Sequence, residues 1–138
     1  MIRVSQLIAR VQATCPGFAM VDHALTSAGT LTYPAAMISP LMVKSGPAGY
    51  SSYHIQTLTQ TFGVYVLLRR TQDGLTGSGA ADEFDDLVAE LRAGIPHWTP
   101  DTALYAPFSY EGGQLDRWDQ GVACWRDDFS TTYDLRLP

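Results

Sequence analysis

Between Thr57 and Ile95 the chain carries a strand, a glycine-rich connection and an amphipathic helix in direct succession. Phe62, Val64, Val66 and Leu68 alternate with Gly63, Tyr65, Leu67 and Arg69, so both faces of the strand are largely apolar. Such a strand belongs in the middle of a sheet, covered on each side. Thr71-Gln72-Asp73-Gly74 closes it, and Gly74, Gly77 and Gly79 lead into Ala80-Ala81-Asp82-Glu83. From there Phe84, Leu87, Val88, Leu91 and Ile95 fall at i, i+3, i+4, i+7 and i+11, one stripe of a helix that Gly94 and Pro96 stop.

The remaining segments are arranged around this unit. Val4, Leu7, Ile8 and Val11 repeat at helical spacing until Pro16-Gly17 ends that helix. Phe18 to Val21 reads as a short edge strand. Pro34 to Val43 reads as a strand bent at Ser39-Pro40, because proline within a sheet belongs at an edge or a bulge. Lys44 to His54 is a long loop in which Tyr50, Tyr53 and His54 offer contact surface, and loops of this length are functional or disordered. His97-Trp98-Thr99-Pro100 forms a proline-bracketed turn. Leu104, Ala106 and Phe108 against Tyr105 and Tyr110 predict a further strand, closed by Glu111-Gly112-Gly113. In the last stretch Trp125, Phe129, Thr131, Tyr133, Leu135 and Leu137 share one parity, with Arg126, Asp128, Thr132, Asp134 and Arg136 on the other. That pattern predicts a long half-buried antiparallel strand, with a solvated bulge at Asp127-Asp128. Strands and helices do not alternate regularly, so the fold class is α+β. A single domain spanning 1–138 carries a mostly antiparallel mixed sheet with two main helices packed on one face.

Composition narrows the function. A chain of 138 residues makes one domain and buries roughly two thirds of its unfolded surface. The net charge of −5 disfavours nucleic-acid binding, which needs basic residues to displace counterions from phosphate. The apolar runs are too short to cross a bilayer, and the first residues do not form a signal peptide, so cytoplasmic synthesis is expected. Cys15 and Cys124 read as packed thiols in a reducing compartment, although the sequence leaves a disulfide open.

The glycine connection is the first place to look for chemistry. Gly74-Leu75-Thr76-Gly77-Ser78-Gly79 runs into Ala80-Ala81 without the lysine a phosphate loop requires. Asp82, Glu83, Asp85 and Asp86 would repel phosphate at the helix start and suit the helix dipole instead. A strand-to-helix connection with Ser78 as cap is the better reading. His23, His54 and His97 are scattered with no metal spacing, Asp22-His23 lacks a nucleophile, and no serine sits in a Gly-x-Ser-x-Gly elbow. Asp127 and Asp128, adjacent on a strand, point to opposite faces and so do not chelate a cation together. Trp98, Trp118 and Trp125 read as core and interface aromatics, since Arg69-Arg70 is the only adjacent basic pair. No catalytic, cofactor or metal residues are therefore assigned.

The order of landmarks resembles a known family. Gln60-x-Phe62-x-Val64 leads to Val66, Leu68 and Asp73-Gly74, and the acidic helix is followed by Trp98-Thr99-Pro100 and Tyr110-Glu111-Gly112-Gly113-Gln114-Leu115. Trp125-Arg126-Asp127-Asp128-Phe129-Ser130-Thr131-Thr132-Tyr133 closes the series. This succession is similar to the tail terminator, or tail completion, proteins of long-tailed bacteriophages. One departure is His97, where the family often has glycine before the tryptophan. The resemblance implies a non-enzymatic virion protein that forms a ring, usually a hexamer, on the head-proximal end of the tail tube. The ring stops tube polymerisation and meets head-completion or neck proteins, with DNA only as passing cargo. A closed ring needs two complementary patches per subunit. Arg69 and Arg70 against Asp82, Glu83, Asp85, Asp86 and Glu90 are candidates, with Tyr50, Tyr53 and His54 as further contact residues. Two other functions stay open: another head-to-tail connector or minor tail protein, and a small-molecule or nucleotide module using Gly74 to Gly79.

Overall fold

The computed structural model describes residues 1–24, 31–46, 55–69, 77–119 and 121–136. In chain order these form α1 (Val4–Thr14), β1 (Met20–His23), β2 (Ala35–Ser45), β3 (Ile55–Arg69), α2 (Gly77–Gly94), β4 (Ser109–Asp119) and β5 (Val122–Arg136). One five-stranded sheet runs β1-β2-β3-β5-β4. β1 is parallel to β2 and the other pairings are antiparallel, which makes the sheet mixed and the fold α+β.

β3 takes the central place its apolar pattern demands, with β2 on one side and β5 on the other. Phe62, Val64, Val66 and Leu68 are buried in one core with Leu7 and Val11 of α1 and Phe84, Leu87, Val88 and Leu91 of α2. Both helices therefore lie on the face these residues share. The opposite face is not covered by another layer among the described residues. Its residues, Tyr65 and Leu67, are half-buried by neighbours within the sheet face, including Arg126. The expectation of cover on both sides fails because aromatic and arginine side chains screen an apolar face without a second layer.

Three element boundaries differ from the sequence reading. β2 bulges between Pro40 and Met42, as the proline required, but it continues through Ser45. β4 starts at Ser109 and runs through Glu111-Gly112-Gly113 instead of ending there. The segment before it pairs only at Tyr105, where an isolated bridge meets Tyr133, because Pro107 has no N–H to donate. Bulges in β4 absorb Glu111 and Asp116, and Gly112 takes a φ of 127° that other residues rarely adopt. α2 begins at Gly77, so Gly77 and Gly79 belong to its first turn. The helix start is less sensitive to glycine than its interior, since the first N–H groups lack intrahelical partners in any case.

Two polar contacts tie the N-terminal residues and α1 into this frame. Gln60 is 1% exposed, and its side-chain amide donates to Ile2 O at 3.0 Å while its Oε1 accepts Ile2 N–H at 3.1 Å. The side chain thus substitutes for a strand partner at the N-terminus. At the far end of the helices, Arg10 Nε donates to Gly94 O at 2.8 Å and the guanidinium lies 5.4 Å from the Trp98 ring. Trp98 stacks on Phe108 with centroids 5.8 Å apart, and His97 N–H donates to Phe108 O at 3.0 Å. His97 closes this turn at φ 67°, the left-handed region that glycine occupies without strain. The departure from the family pattern therefore keeps the turn and adds strain to it.

Gln60→Leu should cost about 1–3 kcal/mol in urea denaturation, because it strands the buried Ile2 N–H and carbonyl. His97→Gly should leave stability equal or raise it by up to about 1 kcal/mol. His97→Val should lower it by about 1–2 kcal/mol in the same measurement.

Candidate functional site

The polar centre of the molecule lies where α2 crosses the β4–β5 edge. Asp127 falls between Trp125 and Phe129 on the helix face of β5, and its side chain is 0% exposed. Trp125 Nε1 donates to Asp127 Oδ1 at 2.8 Å and the Tyr110 hydroxyl donates to the same oxygen at 3.2 Å. Arg92 Nε reaches Oδ2 at 3.2 Å and its Nη2 reaches Oδ1 at 3.3 Å. The same Nη2 donates to the Tyr110 hydroxyl oxygen at 2.6 Å, with the guanidinium 4.6 Å from that ring's centroid. Gly113 lies opposite in β4, where a Cβ would come within 2.9 Å of the Trp125 indole nitrogen, so only glycine lets the strand approach.

Asp127 is fully buried and Trp125, Tyr110 and Arg92 all donate to it, so the cluster serves as a lock and not as a general base open to a substrate. Burial, with Asp127 beside it, pushes the Tyr110 hydroxyl above its ordinary pKa and keeps it a donor at neutral pH. The expected solvated bulge at Asp127-Asp128 is thereby corrected. Asp127 is buried, and the bulges lie in β4, between Tyr110 and Gly112 and between Leu115 and Arg117. Asp128 points to the other face, where Arg126 Nε lies 3.0 Å from its Oδ1. Burial raises the Asp128 pKa despite that cation.

Beside the lock an open groove of about 870 Å³ runs between α2 and the sheet, lined by Phe84, Val88, Ala89, Ala93, Leu115 and Trp125 with Asp85 and Arg92 also on its wall. It lies over β4 and β5 because the helix contacts put α1 beside β1 and β2 and α2 over β3. Leu115 is 54% exposed there. Among the described residues nine large apolar side chains are exposed; Leu41, Met42 and Val43 follow one another on β2, and Ile55 and Leu135 lie near the start of β3 and the end of β5. Met42 is 58% exposed.

The residues singled out from sequence fall into separate places. Tyr50, Tyr53, His54 and Arg70 lie outside the described residues, as does Gly74. Arg69 ends β3, its guanidinium 6.0 Å from the Tyr33 ring, and it lines a shallow groove that Glu83 also lines. Asp82 and Asp86 are exposed on α2. None of these acids is in the first turn of α2, which starts too early for them, so they sit away from the strongest part of the helix dipole. Glu90 accepts the Gly17 N–H at 3.0 Å, which joins α2 to the turn after α1. Sequence reasoning missed the Arg92–Asp127 lock and the groove. The signal for the first was an aspartate on the apolar parity of a strand, since a buried carboxylate must have partners.

Asp127→Ala should cost about 3–5 kcal/mol in urea denaturation, because it leaves Trp125 N–H, the Tyr110 hydroxyl and Arg92 without their acceptor. Asp127→Asn should recover part of that loss, since its carbonyl still accepts from the indole.

Among the described residues no group of His, Cys, Asp and Glu could hold a metal ion, and no helix is long and apolar enough to cross a membrane. Comparison with curated proteins gives no match. A family model described as phage tail terminator protein matches residues 1–137. The chain belongs to the phage tail terminator family, whose role is a structural one in the virion tail, exercised through contacts with other tail or head proteins.

Proposed function

We propose that copies of this chain close into a ring, a hexamer on the usual plan of the family, on the head-proximal end of the tail tube. The ring ends tube polymerisation and presents a surface to head-completion or neck proteins, and DNA passes through it as cargo. Assembly takes place in the host cytoplasm, and no catalytic step is involved.

The observation that carries this reading is the set of exposed apolar side chains along β2, β3 and β5. Leu41, Met42, Val43, Ile55 and Leu135 are between 36% and 58% exposed. Covering what is still exposed gains a part of the roughly 1.5–3 kcal/mol that complete burial of such a side chain is worth. A partner surface that covers them therefore gains more than a monomer can. Tyr50, Tyr53 and His54 fall in sequence between β2 and β3, and we assign them to the contact set. Arg69, Arg70, Asp82, Glu83 and Asp86 are assigned to the rest of the subunit and partner interface. A net charge of −5 suits a protein that DNA must pass without sticking.

Purified protein added to growing tail tubes should stop elongation and appear in negative-stain images as a ring at one tube end. Replacing Tyr50 and Tyr53 together by Ser should cut this capping while leaving the monomer's melting temperature nearly unchanged. A chain that stays strictly monomeric and never associates with tubes would overturn the proposal.

A further inference from the structure

The ring reading leaves open which surfaces meet. Among the described residues each chain leaves two apolar features of different shape uncovered, and it cannot bring them together itself. One is the groove between α2 and β4–β5, concave and walled by Ala89, Leu115 and Trp125. The other is the outer edge of β2 over residues 41–44, beyond Ile38, the last residue that β1 pairs. Register separates them. Met42 pairs with Thr61, five residues along β3 from Val66, the partner of Trp125. That is roughly 17 Å along the strand, with further strand spacings of about 5 Å each across the sheet. Met42 also shares parity with Thr61, on the face away from the groove. An edge that cannot reach its own groove is available to a neighbour's, which is a heterologous contact.

Charge indicates the same pairing. α2 carries Asp82, Glu83, Asp85, Asp86 and Glu90, and its one arginine, Arg92, is already held on Asp127. Lys44, the only lysine of the chain, follows Met42 and Val43 directly on the β2 edge. One face of the edge therefore presents Met42 and then the Lys44 cation, and the groove presents an apolar floor with Asp85 on its wall.

We propose that residues 41–44 of one copy seat in the α2–β4 groove of the next copy. Met42 enters against Ala89, Leu115 and Trp125, and Lys44, on the same face of β2, lies at Asp85. The inference rests on the ring reading, and it adds which strand and which groove form the joint. Repeated around an axis, the same joint closes the ring without a symmetric contact.

Cysteine trapping on tail tubes tests the joint directly. Met42 and Ala89 are both exposed, so Met42→Cys and Ala89→Cys leave the core untouched. A mixture of the two single variants, oxidised on tubes, should give a disulfide-linked dimer that neither variant gives alone. The double variant should give a ladder up to the ring size. Rings that form normally but yield no adduct would overturn this joint and leave the ring reading standing. Adduct from Met42→Cys alone would overturn it too, because that requires a symmetric contact. Absence of rings with unmodified protein would sink the ring reading first. As a second arm, Lys44→Glu should lower ring yield by at least about tenfold, and adding Asp85→Lys should restore most of it. An unchanged yield with Lys44→Glu would remove the charge argument.

Discussion

The pairing of β3 with β5 sets the dimensions that everything else must fit. The two strands match residue for residue from Ile55 against Arg136 to Arg69 against Val122. Each has 15 residues, which is roughly 50 Å of ladder. The 18 residues of α2 extend only about 27 Å, and the 11 residues of α1 less. Two helices side by side therefore cover only about half the ladder's length. The covered half holds Phe62, Val64, Val66 and Leu68, and Gln60 marks its limit by binding Ile2. Past that point no layer covers the strands among the described residues, and Ile55 and Leu135 remain at the surface.

Within the covered half, α2 needs a fixed position, and Asp127 provides it. A buried ion pair seldom adds net stability over a well-packed apolar replacement. What this one supplies is direction. Arg92, Tyr110 and Trp125 come from α2, β4 and β5, and one carboxylate accepts from all three. The geometry holds the guanidinium down on β5 and leaves the groove beside it open. Gly113 belongs to the same arrangement, since a side chain there would push β4 off the cluster.

Much of this was legible in the residues. The alternation of Phe62 to Leu68 and the stripe from Phe84 to Ile95 located the central strand and the principal helix, because burial imposes those two periods directly. The closing strand was legible for the same reason. The path of β4 was not. Glu111-Gly112-Gly113 looks like a turn, and its role as bulge and close-approach strand depends on Asp127 in another strand. Asp127 itself was misread because local reasoning places a pair of aspartates in water, whereas the parity shared with Trp125 and Phe129 places one of them inside. The start of α2 was read late, since glycine-rich sequence hides a first turn that downstream packing imposes. Of the candidate site, the acids of α2 and Arg69 were visible as charges, but the groove was not. A concavity made by α2, β4 and β5 has no sequence period.

The same free edge of β2 that suits assembly also exposes a newly folded copy to unwanted pairing. Unpaired strand edges with apolar side chains are templates for any other strand, and among the described residues β2 has no partner on its outer side over Leu41-Met42-Val43. Pro40 stands just before this run and Lys44 just after it, with the bulge between Pro40 and Met42 twisting the edge. Proline withholds a donor, the bulge spoils the register, and the lysine repels a second identical edge. These are gatekeepers against edge-to-edge aggregation. A like edge is refused on all three counts, whereas a groove between a helix and a sheet needs no ladder register from its guest.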